Sequence, residues 1–236
     1  MNNYQNDYSG YGYDSAQSIS RTVSQVMKKV YFKMFLALLV TALTSLFVAS
    51  TPSMASIALG NGYWILAIVE IGLVMWISAG INKMSSSTAT LLFYIFSIVN
   101  GFTLSVIFYA YAPGAIAKAF FITAGTFGAM SIYGYTTNAD LTKFGTYCMY
   151  ALFGLIIAMV VNIFMHSSTL DWIISIVGVF LFLGLTAWDT QTTKQMAASA
   201  PADMHGKLAT ISALNLYLDF INLFLFILRI FGGSRD

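Results

Sequence analysis

The stretch ALNLYLDFINLFLFILRIFG, residues 213–232, decides how this chain is read. It is long and apolar enough for one bilayer-spanning helix, which needs roughly 20 such residues. Yet Asp219 stands in its middle. A charge at the bilayer centre costs roughly 2.5–3.5 kcal/mol on insertion scales, so acids kept there usually face the bundle interior and mark ion or proton paths. Ser212, Asn215, Asp219 and Asn222 are spaced three, four and three apart, with Arg229 further along the same stripe. That spacing puts them on one helix face. The other positions are almost all Leu, Ile, Phe and Tyr. Such a helix has to lie where other helices cover its polar stripe or water reaches it.

The rest of the chain agrees. Of 236 residues, 58% are hydrophobic and only 8% charged, against about a quarter charged in soluble domains. A single soluble core of this size would not hide so much apolar surface. The expected class is an all-α integral membrane protein with seven transmembrane helices. The segments fall at about 31–50, 62–82, 88–111, 115–135, 144–165, 169–189 and 208–231. Short polar breaks separate them, some marked by Pro52, Pro113 and Gly114. Residues 1–20 are polar and lack the basic patch and apolar core of a signal peptide. They read as a disordered cytoplasmic tail, and 21–236 as one domain.

Basic residues set the expected orientation. Arg21, Lys28, Lys29, Lys33, Lys83, Lys143, Lys194 and Lys207 fall on one side, and Lys118, Arg229 and Arg235 on the other. Eight against three puts the N-terminus in the cytoplasm, and seven full spans then put the C-terminus outside. A re-entrant seventh segment would return both ends to one side. The net charge of +2 is spread thinly, so nucleic acid is not an expected partner; the lipid bilayer is. Cys148, His166 and His205 are too scattered for a zinc site, and no cofactor is expected.

Helix six ends in the same style as helix seven. Thr186, Asp189, Thr190 and Thr193 share a face. Successive helices tend to be neighbours, so Asp189 and Asp219 are expected to meet. Two such carboxyls would titrate jointly. Deprotonated, they offer the oxygens that suit a hard cation such as Ca²⁺; protonated, they draw helices six and seven together. Asp189 and Asp219 are thus candidate proton sensors and candidate Ca²⁺ ligands. Glu70, in mid-span on helix two, is either a packing acid or a further pathway acid. Asn100 on helix three needs a partner, and Glu70 is the candidate; Asn215 and Asn222 complete the pathway candidates.

At these residues the chain resembles the Bax inhibitor-1 family, also called the transmembrane Bax inhibitor motif family, in a bacterial form. The likeness runs from about Ser20 to Gly232. It is carried by NKMSSSTATLLFYIFSIVNGFTLS (82–105), GTFGAMSIYGYTTNADLTKFGTY (125–147), LGLTAWDTQTTK (183–194) and LYLDFINLFLFILRIFG (216–232). The resemblance implies seven helices with the last surrounded by the other six. It also implies a pH-sensitive calcium leak governed by Asp189 and Asp219. Eukaryotic relatives are associated with protection from cell death, and some bacterial ones with quality control by membrane proteases. The family often has a helix-two arginine that latches onto the helix-six aspartate; Ala79 and Gly80 stand here instead. Lys83, nearer the rim, is the possible basic partner, by snorkelling. Without a fixed latch, the leak should depend more steeply on protonation and less on salt.

An enzyme is not expected. An intramembrane aspartyl protease needs a Gly-x-Gly-Asp motif, and neither LTAW before Asp189 nor LYL before Asp219 supplies it. A retinal receptor needs a mid-membrane lysine on helix seven, where Lys207 lies only at the edge. A non-conducting regulator of a membrane protease or stress partner, and a proton-coupled transporter, remain as alternatives to the leak.

Overall fold

The computed structural model describes residues 5–232, with side chains from residue 17 onward. Among the described residues nine α-helices follow one another: α1 (Gln5–Ser50), α2 (Pro52–Leu59), α3 (Gly62–Gly80), α4 (Ser86–Leu104), α5 (Ile107–Ala110), α6 (Pro113–Thr136), α7 (Thr142–Met165), α8 (Ser168–Ser199) and α9 (His205–Phe231). Seven spans long and apolar enough to cross a membrane result, with α4 and α5 forming one of them. Local chemistry sets the breaks. Pro52 and Pro113 stand in the first turns of α2 and α6, where a missing N–H costs nothing. The Ser85 hydroxyl caps α4 by accepting from the Thr88 N–H at 3.0 Å, and Ser167 caps α8 in the same way at Leu170. His166 takes a left-handed conformation, φ 51°, and ends α7.

Two boundaries differ from the sequence expectation. Helix α1 starts at Gln5, so the tail expected to be disordered is helical from that residue; residues 1–4 lie outside the described residues. A helix already nucleated by an apolar span propagates outward at little cost per residue. Likewise α8 runs ten residues past Asp189, to Ser199. Asp189, expected near the rim, therefore lies well inside a helix that projects beyond the apolar zone.

The last span is central. Helix α9 packs against α8, α1, α6 and α4, while α3 leans on α4 and α7 on α8 as an outer layer. Tyr217, Leu214, Leu216 and Leu223 of α9 are fully buried. The outer helices are inverted relative to a soluble protein, with Trp64, Ile68, Phe153 and Phe164 exposed. Apolar surface on that scale marks contact with lipid. Close approach of backbones explains two glycines. A Cβ on Gly134 would strike the Ala187 carbonyl of α8, and one on Gly101 would strike the Thr41 carbonyl of α1. Small residues at such crossings let membrane helices pack tightly.

Most hydroxyls in the spans serve their own helix. Ser97, Thr123, Thr126, Thr136 and Thr186 each donate to the carbonyl four residues back, the usual refuge of Ser and Thr where water is absent. Buried hydroxyls without a partner are therefore informative. Among the described residues they are those of Ser45, Ser131, Thr190 and Ser212.

Candidate functional site: two polar systems on opposite faces of the central helix

Asp189 of α8 and Asp219 of α9 meet, carboxyl to carboxyl. Asp219 is 5% exposed, and Asp189 is half-buried. The register follows from the packing of Gly178 under the Phe226 ring: counting back along two antiparallel helices sets Asp189 level with the turn before Asp219. Asp219 Oδ2 is buried and finds no donor among the described residues. Two partnerless hydroxyls belong to the same helices. Thr190 adjoins Asp189, and Ser212 stands two turns before Asp219 on its face. A third, Ser131, lies one turn before Gly134 on α6, whose backbone abuts Ala187.

One face of α9 stays open. Asn215 and Arg229 are exposed, and Ile211, Leu218, Asn222 and Leu225 are partly so. Their spacing of four and three residues in alternation makes a single stripe along the helix. Asp219 lies about 40° around the helix from Asn215, at the border of that stripe. Asn222 turns its amide back to the Leu218 carbonyl at 2.8 Å. At its far end the stripe meets a cavity of about 290 Å³ lined by Met159, Asn162, Asp171 and Arg229, among others. There Arg229 Nη1 pairs with Asp171 Oδ1 at 3.2 Å, the one ion pair among the described residues.

The second polar system occupies the opposite face. Tyr217 is two residues from Asp219, about 200° around the helix. Its hydroxyl donates to Asn100 Oδ1 at 2.9 Å and lies 2.7 Å from the Thr41 hydroxyl. The Thr41 hydroxyl itself donates to the Ser97 carbonyl of α4 at 3.0 Å. Asn100 Nδ2 in turn donates to Glu70 Oε2 at 3.1 Å, and the Thr103 hydroxyl donates to Glu70 Oε1 at 2.5 Å. The donors of Tyr217, Asn100 and Thr103 run toward Glu70, and with the Thr41 contact the network ties α3 to α4, α9 and α1.

The expected site residues therefore separate. Glu70 and Asn100 pair as expected, but away from the aspartates. Asn215 and Asn222 lie on the open stripe beside Asp219. Lys83, the possible basic partner, is exposed and forms no ion pair among the described residues. The reason is placement, since Lys83 follows α3, an outer helix that packs on α4 and not on α8. Sequence reasoning missed Tyr217 and Thr41, which looked like ordinary apolar-helix residues. It also missed Lys33, whose ammonium donates to Thr90 at 2.8 Å and Thr210 at 2.6 Å. Another omission is Gln191, two residues past Asp189, which accepts from the Leu141 N–H at 2.9 Å and donates to the Ala139 carbonyl at 2.7 Å. That bond fixes the α6–α7 turn to α8. No three His, Cys, Asp or Glu side chains gather as a metal cage among the described residues.

Comparison with known proteins places this architecture. The family model described as inhibitor of apoptosis-promoting Bax1 matches residues 23–236. A Borreliella burgdorferi protein is 43% identical over 217 residues, covering 90% of this chain and 94% of its own length. The inner membrane protein YbhL of Escherichia coli strain K12 is 41% identical over 214 residues, covering 89% of this chain and 92% of its own length. A Streptococcus pyogenes protein named as a membrane protein is 38% identical over 172 residues, 73% of this chain and 75% of its own. With its seven spans, its central last helix and a family match over almost its whole length, the chain belongs to the Bax inhibitor-1 family of membrane proteins.

Proposed function

We propose that the protein is a cation leak, with Ca²⁺ as the permeant ion, controlled by the proton content of the Asp189–Asp219 pair. One observation carries the reading: two carboxyls face each other although Asp219 Oδ2 has no other donor. Carboxylates are acceptors only, so two of them in contact need a proton between them. With that proton, a hydrogen bond joins α8 to α9. Without it, two negative charges repel across the helix contact and attract a cation.

The donor set suits passage better than storage. Ca²⁺ takes six to eight oxygens. Here two carboxylates are at hand, so a Ca²⁺ ion would keep several waters. Weak partial coordination of this kind lets an ion leave as readily as it enters. The open stripe of α9, from Asn215 past Asn222 to Arg229, supplies a wettable route beside the pair. The cytoplasmic N-terminus rests on the basic-residue bias, and an inner-membrane location on the likeness to the Escherichia coli inner membrane protein.

Purified protein in calcium-loaded liposomes, followed across a pH series, tests this. The native protein should leak with a sigmoidal pH dependence. Asp219→Asn and Asp189→Asn should flatten it, changing flux at the midpoint several-fold, while adding salt should change little. A native protein that does not leak, or a pH profile that survives both substitutions, would falsify the proposal and favour a non-conducting regulator of a partner such as a membrane protease.

A further inference from the structure

We propose that the crevice between α1, α5, α6 and α9 binds one acyl chain of a glycerophospholipid, whose ester carbonyl accepts a hydrogen bond from Ser45. The crevice has a volume of about 390 Å³, within the range of small-molecule sites. Its floor is buried and apolar, formed in part by Leu104, Ile107, Phe220 and Phe224. Its rim is lipid-facing: Leu46 and Phe121 are 51% and 72% exposed. An apolar cleft open to a bilayer fills with hydrocarbon rather than water, because water needs polar partners.

Ser45 makes the occupant more specific. It lines the crevice, is 3% exposed, and its hydroxyl has no partner. Unlike the other span hydroxyls noted above, it does not bond back to its own helix. A buried hydroxyl left unpaired is costly, so the occupant has to bring an acceptor. Bare hydrocarbon has none. Depth selects the acceptor. Ser45 precedes the end of α1 at Ser50 by five residues, roughly 7.5 Å along the axis. The other three elements around the crevice also end or begin nearby, at Ala110, Pro113 and Phe231. Ser45 thus lies just inside the polar zone at that end of the bundle, the level at which the ester groups of a bilayer lipid join its chains.

The site adjoins the polar network as well. Thr41 lines the same crevice one turn from Ser45 and hydrogen-bonds Tyr217. A bound chain would therefore touch a side chain that anchors the central helix. This inference is independent of the proposed leak.

Native mass spectrometry of the full chain with palmitoyl-oleoyl phosphatidylethanolamine tests it, using as control the dialkyl ether analogue, which lacks ester carbonyls. The native protein should retain one diester lipid and bind the ether about fivefold more weakly, as loss of one neutral hydrogen bond implies. Ser45→Ala should bind both alike. Ala42→Trp, which fills the crevice from its rim, should lose the lipid while keeping native helicity by circular dichroism; Ala117→Phe replaces it if that variant does not fold. Equal retention of ester and ether by the native protein overturns the proposal. So does full retention by the filled variant, or a crevice covered by a second copy of the chain.

Discussion

Asp219 and Tyr217 stand two residues apart and belong to different systems. That separation follows from helical geometry, since neighbours at this spacing point to opposite sides. Asp219 faces α8 and its aspartate; Tyr217 faces α1 and α4. Removing the Tyr217 hydroxyl should therefore loosen the anchoring of α9 without touching the carboxyl pair. Tyr217→Phe strands the Asn100 carbonyl oxygen, while the Thr41 hydroxyl keeps the Ser97 carbonyl. It should lower stability by about 1 kcal/mol, in line with interhelical hydrogen bonds in membranes. Thermal unfolding in detergent reads this, and the pH dependence of flux should stay as in the native protein. The stripe spacing pointed to Asp219 from sequence alone. Tyr217 gave no such signal, because a tyrosine in an apolar run looks the same whether its hydroxyl is buried or at the membrane surface.

Among the seven spans, α3 is the least buried. Its window of highest hydropathy is only 6% buried, and its polar tie to the rest runs through Glu70. Glu70→Gln keeps one acceptor oxygen and should cost about 1 kcal/mol. Glu70→Leu strands the Asn100 amide and leaves the Thr103 hydroxyl only its longer bond to the Val99 carbonyl, and should cost about 2 kcal/mol. If the two variants unfold at the same temperature, Glu70 is not the tie. Helix α7 offers a pH prediction outside the membrane. The Asp140 carboxyl in the turn before it is held below its ordinary value, first by the Thr142 hydroxyl and then by its backbone N–H, which donates to Oδ1 at 2.9 Å. A depressed carboxyl stabilises the fold above its unfolded value and stops doing so as pH falls through the folded one. Amide exchange over residues 142–146 should therefore speed up below about pH 4 relative to the rest of α7, and Asp140→Asn should abolish the difference.

At the scale of the whole molecule, α9 is one unbroken helix of 27 residues, about 40 Å long. That is long enough to cross the bilayer, and seven full spans would put the two ends on opposite sides. A C-terminal alkaline phosphatase fusion should be active and a C-terminal green fluorescent protein fusion dark, with the reverse at the N-terminus. Matching signals from both ends would overturn the seven-span topology in the membrane.

The span positions, the central polar helix and the family resemblance were all legible in the sequence. They are local properties: in lipid each segment must satisfy its own backbone, so length and hydropathy suffice to place it. Which faces meet is a different kind of fact. Between membrane helices no hydrophobic force sorts buried from exposed faces; close packing, small residues and interhelical hydrogen bonds decide. So the sequence could offer Glu70 as a partner for Asn100, but only the tertiary structure could set that pair apart from the aspartates and leave Lys83 outside. It likewise turned Tyr217 toward Thr41 and left Ser45 facing an open crevice. It also gave the aspartate pair its setting: Asp219 at the border of the one uncovered stripe of α9, with Asp189 as the neighbour that faces it.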